Sequence, residues 1–79
     1  MLTSGARYRI RVQGRLGPEW STWFGGLTVS WEKPDQTILS GQVTDQAALH
    51  GILNRIRDLG LPLLEVRRLS PEESETADP

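Results

Sequence analysis

Residues 45–69, DQAALHGILNRIRDLGLPLLEVRRL, predict a long helix that turns directly into a strand. The helix is indicated by apolar residues that recur every three or four positions, namely Ala48, Leu49, Ile52, Leu53, Ile56 and Leu59. Thr44 or Asp45 is suited to cap its first turn, and Gly60 stands where helices commonly end in a left-handed residue. This helix is the clearest element of the chain.

The strand after this helix is expected at about residues 63–69. Alternation along the strand predicts that Leu64 and Val66 turn toward the core. The opposite face then carries Leu63, Glu65, Arg67 and Leu69. Two leucines are therefore expected on the outward face.

Three more strands are indicated by alternation in the first half of the chain. Their predicted inward residues are Tyr8, Ile10 and Val12 at about 6–14, Leu27, Val29 and Trp31 at about 27–33, and Leu39, Gly41 and Val43 at about 37–43. The predicted outward residues include Arg7, Arg9 and Arg11 on the first strand and Ile38, Ser40 and Gln42 on the third. Gly41 weakens its strand and predicts a bulge or a close contact with a helix. Residues 18–24 begin with proline and predict a short helix that packs its aromatic residues onto the core.

The resulting order is strand, short helix, strand, strand, long helix, strand. It predicts an α+β fold, a reduced ferredoxin-like sandwich whose four-stranded antiparallel sheet has the order 4-1-3-2 and both helices on one face. The alternative is a three-stranded meander with the last strand added parallel to the first. Both arrangements leave one face of the sheet uncovered by helices. A chain of 79 residues has room for one core, so we expect a single domain over residues 1–69 and a disordered acidic tail over residues 70–79.

The composition removes several classes of function. The chain has no Cys and a single His, so disulfides, thiolate metal sites and multi-histidine metal sites are excluded, and no metal or cofactor is expected. No familiar catalytic motif occurs, which predicts a protein without enzymatic activity. The lack of Cys favours a reducing cytoplasm, and neither a signal peptide nor a membrane-spanning stretch is expected.

The segments DQAALHG at residues 45–51 and IRDLGLPLL at residues 56–64 are the most distinctive of the chain. Together with Trp20, Trp23-Phe24 and Gly26-Leu27-Thr28, they resemble the signature of a widespread family of short bacterial proteins. The resemblance extends over residues 6–69 and implies a free-standing natural protein. It implies no activity and no functional residue, because none is established for that family.

A row of arginines on the first strand gives the chain its most unusual predicted surface. These residues lie on the face that the helices leave uncovered, which we call the open sheet face. Outward apolar residues stand among the charges, so the face is suited to a homodimer in which Arg of one copy meets Glu32 or Glu65 of the other. The predicted interface residues are Arg7, Arg9, Arg11, Ile38, Leu63, Glu65, Arg67 and Leu69. The leading hypothesis is a small non-catalytic interaction or regulatory module that forms a homodimer or small homo-oligomer through this face, with another protein as a further possible partner.

Two other functions stay open. A ligand-binding or small enzymatic site could use the side of the molecule that carries Trp20, Trp23, His50 and Gly51. A glycine inside a helix costs stability, so Gly51 indicates either close packing or a cleft beside His50. The arginine row could instead contact nucleic acid phosphates, but the third strand offers no outward aromatic residue on which bases would stack. The remaining interpretation of the row is a solvated charged face without a partner.

Overall fold

A computed structural model describes residues 6–69, which form an α+β arrangement. Its strands are β1 (Ala6–Gln13), β2 (Thr28–Lys33), β3 (Gln36–Val43) and β4 (Leu63–Leu69). A 3₁₀ helix, Pro18–Phe24, follows β1, and an α-helix, α1 (Gln46–Asp58), follows β3. The predicted acidic tail, residues 70–79, lies outside the described residues, as do residues 1–5.

The four strands form one open antiparallel sheet in the order β2-β3-β1-β4. β1 lies in the centre, where Ile10 is opposite Leu39 of β3 on one side and opposite Val66 of β4 on the other. Each strand has the neighbours that the order 4-1-3-2 requires, read from the other edge. Since β4 runs antiparallel to β1, the alternative with a parallel last strand is wrong. Within the described residues, β2 and β4 are the two edges.

Both helices contribute side chains to one core on the same face of the sheet. Phe24 of the 3₁₀ helix and Ile56 of α1 are almost fully buried there. The core cluster consists of Tyr8, Ile10, Val12, Leu16, Phe24, Leu27, Leu39, Val43, Leu49, Ile52 and Ile56. β4 supplies none of these residues, so the core covers β1 and β3 but does not extend across β4.

α1 begins and ends at the residues that its sequence signals predict. The carboxylate of Asp45 accepts a hydrogen bond from the Ala48 N–H at 2.8 Å and caps the first turn. After the helix, Gly60 adopts a φ of +76°, which residues with a Cβ rarely do. The Gly60 N–H donates to the carbonyl of Arg57 at 2.9 Å. This cap ends the helix and leads the chain into β4.

A buried threonine that the sequence did not single out fixes the loop after β1. Thr37 Oγ1 accepts a hydrogen bond from the Leu16 N–H at 2.9 Å and donates one to the Gly14 carbonyl at 2.6 Å. Thr37 is fully buried, so water does not compete for either bond. The two bonds position the chain just before the 3₁₀ helix.

Two side chains of the sheet lie differently from their prediction. Gly41 does not mark a bulge, because β3 pairs with β1 in a regular register at this position. Its close contact is not with a helix either, since a Cβ at Gly41 would lie 3.1 Å from Cδ2 of Leu27, the residue just before β2. Trp31 was predicted to be core but is only half-buried on the edge strand β2. Its Nε1–H donates to the Leu16 carbonyl at 3.0 Å, and Arg15 lies over its ring at 4.5 Å from the centroid. Trp31 therefore links the edge strand β2 to the loop that precedes the 3₁₀ helix.

A β-bulge changes the predicted facing of β4 near its first residues. Arg11 is opposite Glu65, but the next residue of β1, Val12, is opposite Leu63, so β4 has one extra residue between these pairs. Leu63 therefore lies on the helix side of the sheet, and its predicted outward position is wrong. Val66 keeps its predicted side.

Candidate functional site

The open sheet face carries the predicted arginine row, but its charges are paired within the chain. Arg11 lies between two carboxylates, with its Nη1 3.0 Å from Glu32 Oε1 and its Nε donating to Glu65 Oε1 at 3.4 Å. Arg9 forms a second ion pair with Glu32. Arg67 lies opposite Arg9 in the sheet, on the same face. The face therefore presents interleaved charges of both signs and not arginine alone.

These contacts shift the ionisation of Glu32 and Arg11. The hydrogen bond from Arg11 lowers the pKa of Glu32 below its ordinary value, desolvation opposes it, and the charge of Arg9 adds to the lowering. In return, the hydrogen bond to Glu32 raises the pKa of Arg11. Both shifts favour the charged forms, so the cluster is ionised at neutral pH.

Two of the three apolar residues that were predicted as contact points on the open sheet face, Ile38 and Leu69, are buried, and the third, Leu63, lies on the helix side. Ile38 of β3 is 3% exposed, and Leu69 of β4 is 8% exposed. Ile38 lies between Arg11 of β1 and Ser30 of β2, while Leu69 is opposite Arg7. Arginine can cover apolar surface with its aliphatic stem, which is consistent with the burial of residues opposite Arg11 and Arg7. Ile38 and Leu69 therefore do not offer the exposed apolar contacts on which the predicted dimer depended.

The exposed apolar surface of the described chain lies mainly on β4. Leu63, Leu64 and Val66 are 48%, 44% and 39% exposed, and we call these three residues the β4 strip. Leu63 and Val66 face the helix side, yet they are not part of the core cluster. Trp23, at 40%, is the other large apolar residue exposed to this degree among residues 6–69.

The sequence contained a signal for the β4 strip that its alternation did not reveal. In the predicted order, the last strand is an edge strand, and only one long helix is available to cover four strands. α1 packs against β3 and the 3₁₀ helix. An inward-facing position on β4 is therefore left without a cover.

The outer edge of β4 also presents backbone hydrogen-bonding groups. The Gln13 N–H donates to the Pro62 carbonyl at 2.9 Å. Every second residue of β1, counted back from Gln13, therefore directs its backbone N–H and C=O toward β4. Glu65 and Arg67, which lie opposite residues of that set, point back toward β1. Val66, between them, directs its N–H and C=O to the outer edge, where the described part of the chain places no further strand.

A cleft of ≈ 380 Å³ lies between the 3₁₀ helix and α1. Trp23 and Gly51 line it together with Arg55, whose guanidinium lies 4.8 Å from the centre of the Trp23 ring. A Cβ added to Gly51 would meet nothing within 4 Å, so close packing among the described residues does not explain this glycine. His50 is exposed and does not line the cleft, and neither does Trp20, which packs edge-on against Trp23 at 6.2 Å.

Arg55 was not predicted as a site residue. It follows Gly51 by one helical turn, so helical spacing alone would have placed the two residues on the same side of α1. The structure thus brings Trp23 and Gly51 together, as the ligand hypothesis expected, and adds a cation to the cleft.

Two kinds of feature are absent from residues 6–69. These residues contain no group of three His, Asp or Glu side chains that could hold a metal ion. None of their helices combines the length and the apolar character needed to cross a membrane.

Comparison with known proteins gives a family match. A family described as a domain of unknown function, DUF8691, matches residues 7–67, which is most of the chain. The matched range contains the open sheet face, the cleft and the β4 strip. No curated protein and no solved structure matches the chain.

Proposed function

We propose that this chain, which belongs to the DUF8691 family of domains of unknown function, is a small non-catalytic interaction module that associates through the edge of β4. The observation that carries this proposal is the exposed β4 strip beside a strand edge that no other described strand covers. Contiguous exposed apolar residues are typical of interaction sites, and an open edge can accept a further strand. A strand supplied by another chain would cover both features at once.

The proposed contact includes some residues of the predicted interface, but it lies at the edge of β4 and not on the open sheet face. On the open sheet face, Ile38 is buried and Glu32 already pairs with arginines of its own chain. A partner docking there would have to compete with these contacts. At the β4 edge, Leu63 and Leu64 are about half exposed, so a partner gains apolar contact without displacing the core.

The ion pairs of the open sheet face favour a protein partner over nucleic acid. Phosphate groups would have to displace Glu32 from Arg9 and Arg11 before these arginines could contact a nucleic acid backbone. Retention of the purified chain on a heparin column at physiological salt would instead support nucleic acid binding.

A ferredoxin-like classification, a bacterial origin and a cytoplasmic location complete the proposal. The classification is supported by the strand order and by the alternation of helices with antiparallel strands. The origin is supported by the resemblance of the DQAALHG segment, and the location by the absence of Cys. An experimental structure with a left-handed crossover in either strand–helix–strand unit would contradict the classification.

Sedimentation equilibrium of the full chain tests the proposed function. We expect its average mass to rise above that of one chain as concentration increases. The variant Leu64→Ser/Val66→Thr should weaken association by roughly tenfold or more, because it removes apolar surface from the centre of the contact. The control Trp23→Ser removes an exposed aromatic residue outside the β4 strip and should leave association unchanged. Equal weakening by the control, or a constant single-chain mass with no protein partner bound by β4, would contradict the proposal.

A second candidate function, binding of a small ligand in the cleft, is favoured by Gly51. A mid-helix glycine costs about 0.5–1 kcal/mol relative to alanine, and no packing contact explains it here. Gly51→Ala is therefore expected to stabilise the fold by about that amount. Gly51→Leu would place a large side chain in the cleft and abolish a tryptophan fluorescence response to any bound metabolite. A broad metabolite panel that leaves the fluorescence of the unmodified chain unchanged would contradict this candidate.

A further inference from the structure

We propose that the partner of β4 is β4 of a second copy of this chain, paired antiparallel about a two-fold axis that passes through Val66. This inference rests on the proposed function and adds to it the identity of the partner, the register and the symmetry. Two four-stranded sheets would then join into one continuous sheet. Such an interface uses the same surface on both copies and closes as a dimer.

The direction of the side chains limits the possible registers. Residues directly opposite each other in an antiparallel pair lie on the same face of the sheet. Glu65 and Arg67 lie on the open sheet face, whereas Val66 lies on the helix side. A symmetric pairing of this stretch must therefore be centred on a residue, and the central choices are Glu65, Val66 and Arg67.

Charge decides among these three registers. A pairing centred on Glu65 sets this glutamate against its own copy, and a pairing centred on Arg67 sets two arginines against each other. Like charges directly opposite on a sheet are destabilising. A pairing centred on Val66 sets Glu65 of each copy against Arg67 of the other, and symmetry provides this match twice. Glu65 Oε1 already receives a long hydrogen bond, 3.4 Å, from Arg11 of its own chain, so Arg67 of the other copy would share this carboxylate. The Val66-centred register is the one of the three that is self-complementary in charge.

The backbone and the β4 strip fit the same register. Val66 presents its N–H and C=O to the outer edge, so the two copies of Val66 can exchange a pair of hydrogen bonds. On the helix side, Val66 of one copy then lies directly opposite Val66 of the other, so each covers a side chain that is 39% exposed. One contact therefore covers the polar edge and the apolar residue at the centre of β4.

The other edge of the sheet is less suited to pairing. β2 shifts its register with β3 between Ser30 and Lys33, and Pro34 follows directly. Irregular pairing, lysine and proline are features that blunt an edge strand. β4 has its flanking Pro62 and its bulge at its first residues, and it pairs regularly with β1 from Glu65 to Leu69, the stretch that contains Val66.

An exchange of charges tests the register. Arg67→Glu places a glutamate opposite Glu65 of the second copy, and we expect it to weaken the dimer roughly tenfold or more, because two symmetric pairs change from attraction to repulsion. The double variant Glu65→Arg/Arg67→Glu restores opposite charges and should recover most of the association. Lys33→Glu changes the net charge equally on β2 and serves as the matched control. Sedimentation equilibrium measures association, and circular dichroism checks that each variant is folded.

Disulfide trapping gives a second readout of the same register. The chain has no Cys, so Val66→Cys introduces one thiol at the two-fold axis. The Cα atoms of a hydrogen-bonded antiparallel pair are about 5.5 Å apart, within the range that a disulfide spans. We expect Val66→Cys to form covalent dimers under mild oxidation, while Thr28→Cys, exposed on β2, still associates through β4 but forms no covalent dimer.

The outcomes separate this inference from the proposed function. A dimer that forms no disulfide at residue 66 and does not respond to the charge exchange overturns the β4 register but leaves an interaction module. Association of β4 only with a different protein overturns the second copy as partner. A chain that stays monomeric and binds no protein through β4 overturns both proposals.

Discussion

A comparison of β3 with β4 shows that the face on which a side chain lies does not predict how exposed it is. Ile38 of β3 faces away from both helices and is 3% exposed, whereas Val66 of β4 faces the helix side and is 39% exposed. β3 has a strand on each side, but β4 has one neighbour in the described sheet. Ile38 has neighbours on both sides, whereas Val66 lies on an edge strand beyond the core, so the face on which a residue lies does not by itself determine its burial.

The same comparison explains which surface is left for a partner. Above β3, Arg11 and Glu32 form an ion pair beside Ile38, so the chain covers its own open sheet face. On β4, the core ends before it reaches Val66. The charged residues of the open sheet face thus pair largely within the chain, whereas the edge strand β4 carries the exposed apolar surface.

The largest expected effect contrasts Ile38→Ala with Val66→Ala. Ile38→Ala should lower the free energy of unfolding by about 2–4 kcal/mol, because it removes buried methylene groups and leaves a cavity. Val66→Ala should cost less than about 1 kcal/mol in the monomer, since its side chain is already partly in water. Urea denaturation of dilute samples measures both. If both variants lost the same free energy of unfolding, the proposed difference between β3 and β4 would be contradicted.

Thr37→Val tests the side of β3 that faces the core. This nearly isosteric change leaves the Leu16 N–H and the Gly14 carbonyl buried without the Thr37 hydroxyl, and we expect a loss of about 1–3 kcal/mol. Thr37→Ser keeps the hydroxyl and serves as the control in the same urea titration. If the serine variant lost as much stability as the valine variant, the methyl group and not the hydrogen bonds would be responsible.

The smallest expected effect concerns Glu32. Its pKa is lowered in the folded chain by Arg11 and Arg9, so its contribution to stability is present above the ordinary glutamate pKa of about 4.3 and is lost as pH falls through the lowered value. The difference in Tm between the unmodified chain and Glu32→Gln should therefore shrink as pH is lowered from about 6 to about 3. The pair is exposed, so the difference is expected to be small throughout. A Tm difference that does not change over this range would mean that the charge of Glu32 does not stabilise the fold.

Local signals in the sequence predicted most of the fold. Asp45 and Gly60 mark the ends of α1, and alternation assigned the correct faces along β1 and β3. Alternation did not locate the bulge in β4, because the adjacent Leu63 and Leu64 are chemically equivalent and neither marks the extra residue. Bulge positions depend on pairing with the neighbouring strand, which one strand's pattern does not encode.

The candidate site was less predictable because exposure depends on what covers a residue. Ile38 was correctly assigned to the open sheet face, but its burial results from neighbours on other strands. Val66 was assigned to the helix side, but its exposure results from the limited reach of α1. The cleft at Gly51 required the path of the 3₁₀ helix, which depends on the buried Thr37.

Hydrogen exchange at the Val66 amide, followed at low and high protein concentration, tests most directly whether β4 is the contact edge. Pairing of β4 predicts fast exchange in dilute samples and strongly slowed exchange at concentrations where the chain is dimeric. The Arg67 amide, which points toward β1, should be protected at both concentrations and serves as the internal reference. A Val66 amide that exchanges equally fast at both concentrations would contradict pairing through β4.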